Sequence, residues 1–162
     1  MKTLLFLLGG ITFGQNYTVI NQEKTDVSYR GLAFESPLTF IGSGSKNTIG
    51  KTTDGGKTFK WINPTVVKDR DFRDVEVVEK NTYLAMGIDS PAYLLLTKDG
   101  GKTWNKVYEN SKKGMFLDAI FVDKKSKNIY ALGDPIEAGK PFVLKSSTID
   151  PSKWESVKTL NN

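Results

Sequence analysis

Thr52-Thr53-Asp54-Gly55-Gly56-Lys57-Thr58-Phe59 returns 45 residues later as Thr97-Lys98-Asp99-Gly100-Gly101-Lys102-Thr103-Trp104. Each copy sets an Asp ahead of two glycines and a hydroxyl and an aromatic behind them. The glycines supply positive-φ positions at no steric cost, and the Asp carboxylate can accept from nearby backbone amides. Apolar runs lie on both sides, so each stretch reads as the turn of a β-hairpin. A third version, Ser146-Ser147-Thr148-Ile149-Asp150-Pro151-Ser152-Lys153-Trp154, has lost the glycines and kept the aromatic at Trp154. The Gly-Lys-Thr triplets are not phosphate loops. Such a loop needs a Gly five positions earlier, where Lys51 and Leu96 stand, and it opens a helix.

The segments around these turns repeat in one order, three times. Tyr29-Arg30-Gly31-Leu32-Ala33-Phe34 lines up with Phe72-Arg73-Asp74-Val75-Glu76-Val77 and with Phe116-Leu117-Asp118-Ala119-Ile120-Phe121, at steps of 43 and 44 residues. Second segments begin at Phe40, Tyr83 and Ile129, third ones at Thr48, Tyr93 and Phe142, and fourth ones at Phe59, Trp104 and Trp154. Each is short, β-branched, aromatic or aliphatic, and bounded by Gly, Asn, Asp or Pro, with no sustained 3.6-residue period. Four strands in a repeat of about 44 residues is the pattern of a β-propeller blade. The expected fold is all-β, with blades over 29–71, 72–115 and 116–162. Propellers close with roughly four to eight blades, so three leave two open faces. The chain is therefore read as a portion of a longer propeller, or as one that closes its ring by self-association.

Upstream, Met1-Lys2-Thr3 precedes Leu4-Leu5-Phe6-Leu7-Leu8 and then small residues up to Gly14. A positive start, a short apolar core and a small-residue end make a secretory signal peptide over 1–14. The apolar stretch falls short of the roughly 20 residues that span a bilayer. The mature chain is expected to start near Gln15 and to live in the periplasm or outside the cell. Residues 15–28 are a lead-in whose Tyr17-Thr18-Val19-Ile20 could add a lone strand to the last blade of a full ring.

Composition excludes several chemistries. The 162 residues contain no Cys and no His, which removes thiol and Ser-His-Asp catalysis, disulfides and His/Cys zinc sites. The net charge of +5 comes from 23 basic and 18 acidic residues, but only Arg30, Arg70 and Arg73 are arginines. Dispersed lysines without clustered arginines do not describe a nucleic-acid reader. No Asp spacing matches a calcium loop, and neither metal nor cofactor is expected.

The turn pattern, Ser/Thr-x-Asp-x-Gly-x-Thr-Trp/Phe, resembles the Asp-box of the bacterial neuraminidase repeat. That resemblance implies a structural role on the propeller rim, away from any active site, for Asp54, Gly56, Thr58, Phe59, Asp99, Gly101, Thr103, Trp104 and the degenerate Trp154. With Tyr29-Arg30-Gly31, Phe72-Arg73-Asp74 and Gly133-Asp134-Pro135, the chain from residue 29 to about 160 is similar to exported propellers of the photosystem II stability/assembly factor branch. It looks like an N-terminal portion of one. What the branch implies is a non-catalytic scaffold that binds a protein or glycan partner.

The starts of the innermost strands line a propeller's channel, which singles out Arg30, Arg73, Asp74 and Asp118. They are expected either to bind a ligand or to form a ladder between blades, Arg30 to Asp74 and Arg73 to Asp118. The alternative function is a sialidase-like glycoside hydrolase. The sialidase resemblance calls for three arginines and a Tyr-Glu pair, which the three blades do not assemble, and no residue is assigned as catalytic.

Overall fold

The computed structural model describes residues 19, 26–137 and 140–157. The signal peptide and, apart from Val19, the lone strand expected at Tyr17–Ile20 lie outside the described residues. The rest is all-β. Twelve strands form three four-stranded antiparallel sheets, each in chain order. The first holds β1 (Tyr29–Phe34), β2 (Phe40–Gly44), β3 (Thr48–Thr52) and β4 (Lys60–Trp61). The second holds β5 (Phe72–Glu79), β6 (Thr82–Gly87), β7 (Ala92–Thr97) and β8 (Asn105–Asn110). The third holds β9 (Leu117–Asp123), β10 (Asn128–Glu137), β11 (Lys140–Ser147) and β12 (Glu155–Ser156). Among the described residues no helix is long and apolar enough to cross a membrane.

The sheets stack face to face, with β1 beside β5 and β5 beside β9. This is the blade arrangement of a propeller, here a partial one of three blades. Side chains alternate across each strand, so each blade buries one row against its neighbour. Ala33, Ile41, Ile49 and Ile62 of the first blade meet Val75, Val77, Tyr83 and Trp104 of the second. Leu84, Met86 and Leu94 on the other face of the second meet Leu117, Ile120, Ile129 and Leu144 of the third. The middle blade is thus apolar on both faces, and β6 and β7 are buried along their whole length.

The registers correct one alignment. The sequence sets Phe116 beside Tyr29 and Phe72. In the sheets that place belongs to Leu117, which pairs with Gly133 as Tyr29 pairs with Gly44 and Phe72 with Gly87. Leu117 is the residue the core takes in. Phe116 stays outside the strand, where its carbonyl accepts the Asp134 N–H at 2.9 Å.

Candidate functional site

The corrected register brings a common irregularity into line. In every blade the innermost strand carries a β-bulge near its start: between Tyr29 and Gly31, between Phe72 and Asp74, and between Leu117 and Ala119. A bulge leaves one residue out of the ladder and re-aims its side chain. The three residues left out are Arg30, Arg73 and Asp118. Asp118 therefore occupies the place of the two arginines and does not match Asp74, whose counterparts are Gly31 and Ala119. Together Arg30, Arg73, Asp74 and Asp118 line one open cavity of about 450 Å³.

The expected Arg-Asp ladder forms at one rung of two. Arg73 Nη2 lies 3.4 Å from Asp118 Oδ1, and its Nε donates to the Asp118 carbonyl at 3.3 Å, joining the second blade to the third. Its guanidinium also stands 5.3 Å over the Phe116 ring. Arg30 does not reach Asp74. Its Nη1 pairs at 3.0 Å with Asp71, in the loop before β5, and the other Asp71 oxygen accepts the Lys46 amide at 3.0 Å. Asp74 is turned toward the third blade, where one oxygen accepts Ile120 N–H at 2.8 Å and the other Val75 N–H at 2.9 Å. Asp74 thus still ties blades together, through the backbone of β9.

Burial raises the Asp74 pKa above the usual carboxylate value, against the pull of the Ile120 and Val75 amides and of Arg73. Two residues on, Glu76 is pushed up to about 7, by burial first and by the Asp74 charge second, with Lys124 opposing. Arg30 and Arg73 are part-exposed, and such ion pairs contribute about 0–1 kcal/mol. A ligand can therefore replace the carboxylate partner at little cost. Each guanidinium has five N–H donors, more than these pairs occupy. The mouth alternates strong donors with carboxylate acceptors. That suits a ligand with both kinds of group, such as a peptide backbone or a sugar, better than a bare anion.

The repeated turns lie at the opposite end of the blades. In the first, Thr58 donates to Asp54 from its amide at 3.0 Å and its hydroxyl at 2.6 Å, and Thr52 Oγ1 donates to Asp54 Oδ1 at 2.8 Å. Thr52 Oγ1 also accepts the Gly56 amide at 3.0 Å. The second is nearly superposable: Thr103 on Asp99 at 2.9 and 2.6 Å, Thr97 Oγ1 on Asp99 at 2.8 Å, and Gly101 N–H on Thr97 at 2.9 Å. These bonds hold Asp54 at a pKa of about 2, with the Thr58 hydroxyl first among them, and hold Asp99 lower still. Gly101 has φ +91°, and a Cβ there would run into the Ile62 side chain. Trp104 wedges between the first two blades and donates its indole N–H to the Ile62 carbonyl at 2.9 Å. Phe59, with no preceding blade among the described residues, lies half-buried between Phe40 and Trp61. In the third turn Asp150 accepts from Ser152, and Trp154 N–H returns to the Pro151 carbonyl at 3.1 Å.

With this geometry in place, the fold can be set beside known proteins. No protein-family model and no curated protein matches the chain. Solved structures do. One is YCF48 bound to a D1 peptide (TM-score 0.64, 18% identity, 84% of this chain and 41% of that one). Another is YCF48 from Cyanidioschyzon merolae (TM-score 0.59, 14% identity, 83% of this chain and 38% of that one). A third is a GH74 enzyme of Niastella koreensis (TM-score 0.62, 16% identity, 78% of this chain and 21% of that one). At these identities the likeness is one of fold. The chain spans about two fifths of the YCF48 chains and about a fifth of the GH74 enzyme.

Sequence reasoning missed four features. Asp71, the partner of Arg30, sits in a loop whose path no strand pattern gives away. Glu76 was legible only as one member of an alternating strand. Thr52 and Thr97 open the Ser/Thr-x-Asp pattern but were given no role in it, yet their hydroxyls are the hubs of the turns. The fourth is a Tyr-Glu contact at the turn end: Tyr83 O–H donates to Glu35 at 2.6 Å and accepts from Lys51 Nζ at 2.7 Å. It is no nucleophile pair. Tyr83 is wholly buried, and its pKa is raised by burial, then by the Glu35 hydrogen bond and charge. The contact locks the first blade to the second.

Proposed function

We propose that this chain is an exported, non-catalytic binding module. Its working surface is the bulged mouth of Arg30, Arg73, Asp74 and Asp118, and its ligand is a segment of a protein partner. The observation that carries this reading is the repetition of the bulge. Three successive blades each release one charged side chain from the ladder, and the three share one cavity. Repetition of a local irregularity at one end of the fold, opposite the rigid turns, is the layout of a site on a scaffold. YCF48 bound to a D1 peptide is a propeller of the same fold with a peptide ligand, and the resemblance to photosystem II assembly factors points the same way. The Asp-Gly-Gly turns are read as Asp-boxes, rim devices that brace the sheets. The ring is completed by blades from outside the three described here.

A sialidase-like or other hydrolase site finds less support. Arg70 stands 5.5 Å over the Tyr93 ring and does not line the mouth. The Tyr83-Glu35 contact is the lock between the first two blades.

The test uses hexa-alanine with a free carboxylate and its amidated form as probes, followed by amide chemical shifts of the labelled full chain. Shifts confined to Arg30, Arg73 and Ile120, and abolished by Arg73→Ala, are expected. Binding that ignores Arg73→Ala, or no shifts with either peptide alongside turnover of a fluorogenic sialoside, would overturn the reading.

A further inference from the structure

The first blade carries, on the face away from the second, the row that its neighbours bury. By register Leu32 corresponds to Val75 and Ile120, which are buried at the two seams, and Phe34 corresponds to Val77. Yet Leu32 is 60% and Phe34 54% exposed. Phe34, Phe40, Phe59 and Trp61 form a continuous aromatic row across this face, with neighbouring rings 4.9 to 6.3 Å apart.

The third blade is open in the complementary sense. Phe121 corresponds to Ala33, and Leu132 to Ser43 and Met86, all three buried against a following blade. Phe121 is 61% and Leu132 48% exposed. The match extends to detail. Val157 bonds the Val143 carbonyl at 2.8 Å as Ile62 bonds that of Ile49 at 2.9 Å, so Val157 is placed to receive an aromatic as Ile62 receives Trp104. Lys145 holds the register place of Lys51, whose Nζ lies 5.0 Å over the ring of Tyr83, the counterpart of Phe40.

We infer that the first blade of one copy seats on the third blade of a second copy, twice, so that two chains close a six-bladed ring. Phe59 of one copy then meets Val157 of the other, and Lys145 lies over the Phe40 ring. The joint is head-to-tail, and such a joint either closes or grows without limit. Six blades lie within the range of roughly four to eight at which propellers close. Closure also changes the mouth: Arg30 gains Asp118 of the second copy as a neighbour, and six bulge residues encircle one channel. The association does not depend on what the mouth binds.

Sedimentation of the full chain, expressed in an exporting host, tests this over about a hundredfold range of concentration and without peptide. One species of twice the chain mass is expected. Leu32→Glu and Phe121→Lys should each give monomers that melt cooperatively, and mixing the two should restore the doubled mass, since each retains the face the other has lost. Phe34→Glu and Leu132→Lys repeat the experiment on the same faces if either first variant melts without cooperativity. A wild-type monomer at every concentration, a mass that climbs without plateau, or a dimer that these substitutions leave intact would overturn the inference. Further blades on a longer product of the same gene belong with the first two of those outcomes.

Discussion

The middle blade is clamped on both sides, and the two seams are built differently. Toward the first blade β5 presents Val75 and Val77, and apolar side chains run from them to Trp104, with the buried Ser43 at the inner edge. Toward the third blade the same strand presents Asp74 and Glu76 near the mouth, and its Val78 joins Leu84 and Met86 of β6 in the apolar part. One alternating strand thus serves a sealed seam and a polar-edged one. Half-burying two carboxylates is unfavourable, and it occurs beside the mouth, whereas the seam remote from Asp74 and Glu76 is apolar and locked by hydrogen bonds. The contrast separates the part of the fold that holds the molecule together from the part that carries the bulged mouth.

The most severe way to break the contrast is Trp104→Ala. It removes the wedge of the sealed seam and frees the Ile62 carbonyl, at a cost of about 3–5 kcal/mol in a denaturant melt. The equivalent Trp154→Ala, at a half-buried site, should cost less than half as much; equal losses would show that the seams are clamped alike. Next comes Tyr83→Phe, which strips Glu35 and Lys51 of a shared partner. It should cost about 1–3 kcal/mol in the same melt, and a silent substitution would mean that the Glu35-Tyr83-Lys51 chain does not brace the first seam.

The smallest effect is the most diagnostic of the second seam. Glu76 titrates near 7 in the folded chain against an ordinary value of 4.5, because burial and the Asp74 charge favour its neutral form. The folded state therefore holds this proton more tightly. The stability it contributes is fully present below about pH 4.5 and is lost as pH rises through about 7. Glu76→Gln should match the wild type in thermal melts near pH 4 and exceed it at pH 8. A variant that is less stable at pH 8 would show that ionised Glu76 has a partner worth keeping.

How much of this was legible beforehand follows from the range of each interaction. The turns at Asp54 and Asp99 were readable because the bonds their Thr and Asp side chains make span four residues or fewer. The strands were readable because alternation and turn residues repeat three times. The grouping of Arg30, Arg73, Asp74 and Asp118 at one cavity followed from their placement near inner-strand starts. Their pairing did not, because a bulge is a relation between two strands and shifts side chains by one place. That is why Asp118 proved the counterpart of Arg73 and Arg30 found Asp71. The degenerate third repeat misled most, since Phe116 offers a more conspicuous aromatic than Leu117 at the position the core takes in.

The outer strands carry a further consequence. β4 and β12 are two residues long, and β8, the longest outer strand among those described, reads Asn-Lys-Val-Tyr-Glu-Asn with Lys106 and Glu109 paired at 2.7 Å. Short or charged edges give an incoming strand little backbone to add to. A molecule exposing wide aromatic sheet faces would otherwise be a candidate for fibril growth. Here stacking of sheets is open while extension at the outer edges is hindered, so crowding at high concentration should drive this chain toward discrete particles before it drives the outer strands toward amyloid.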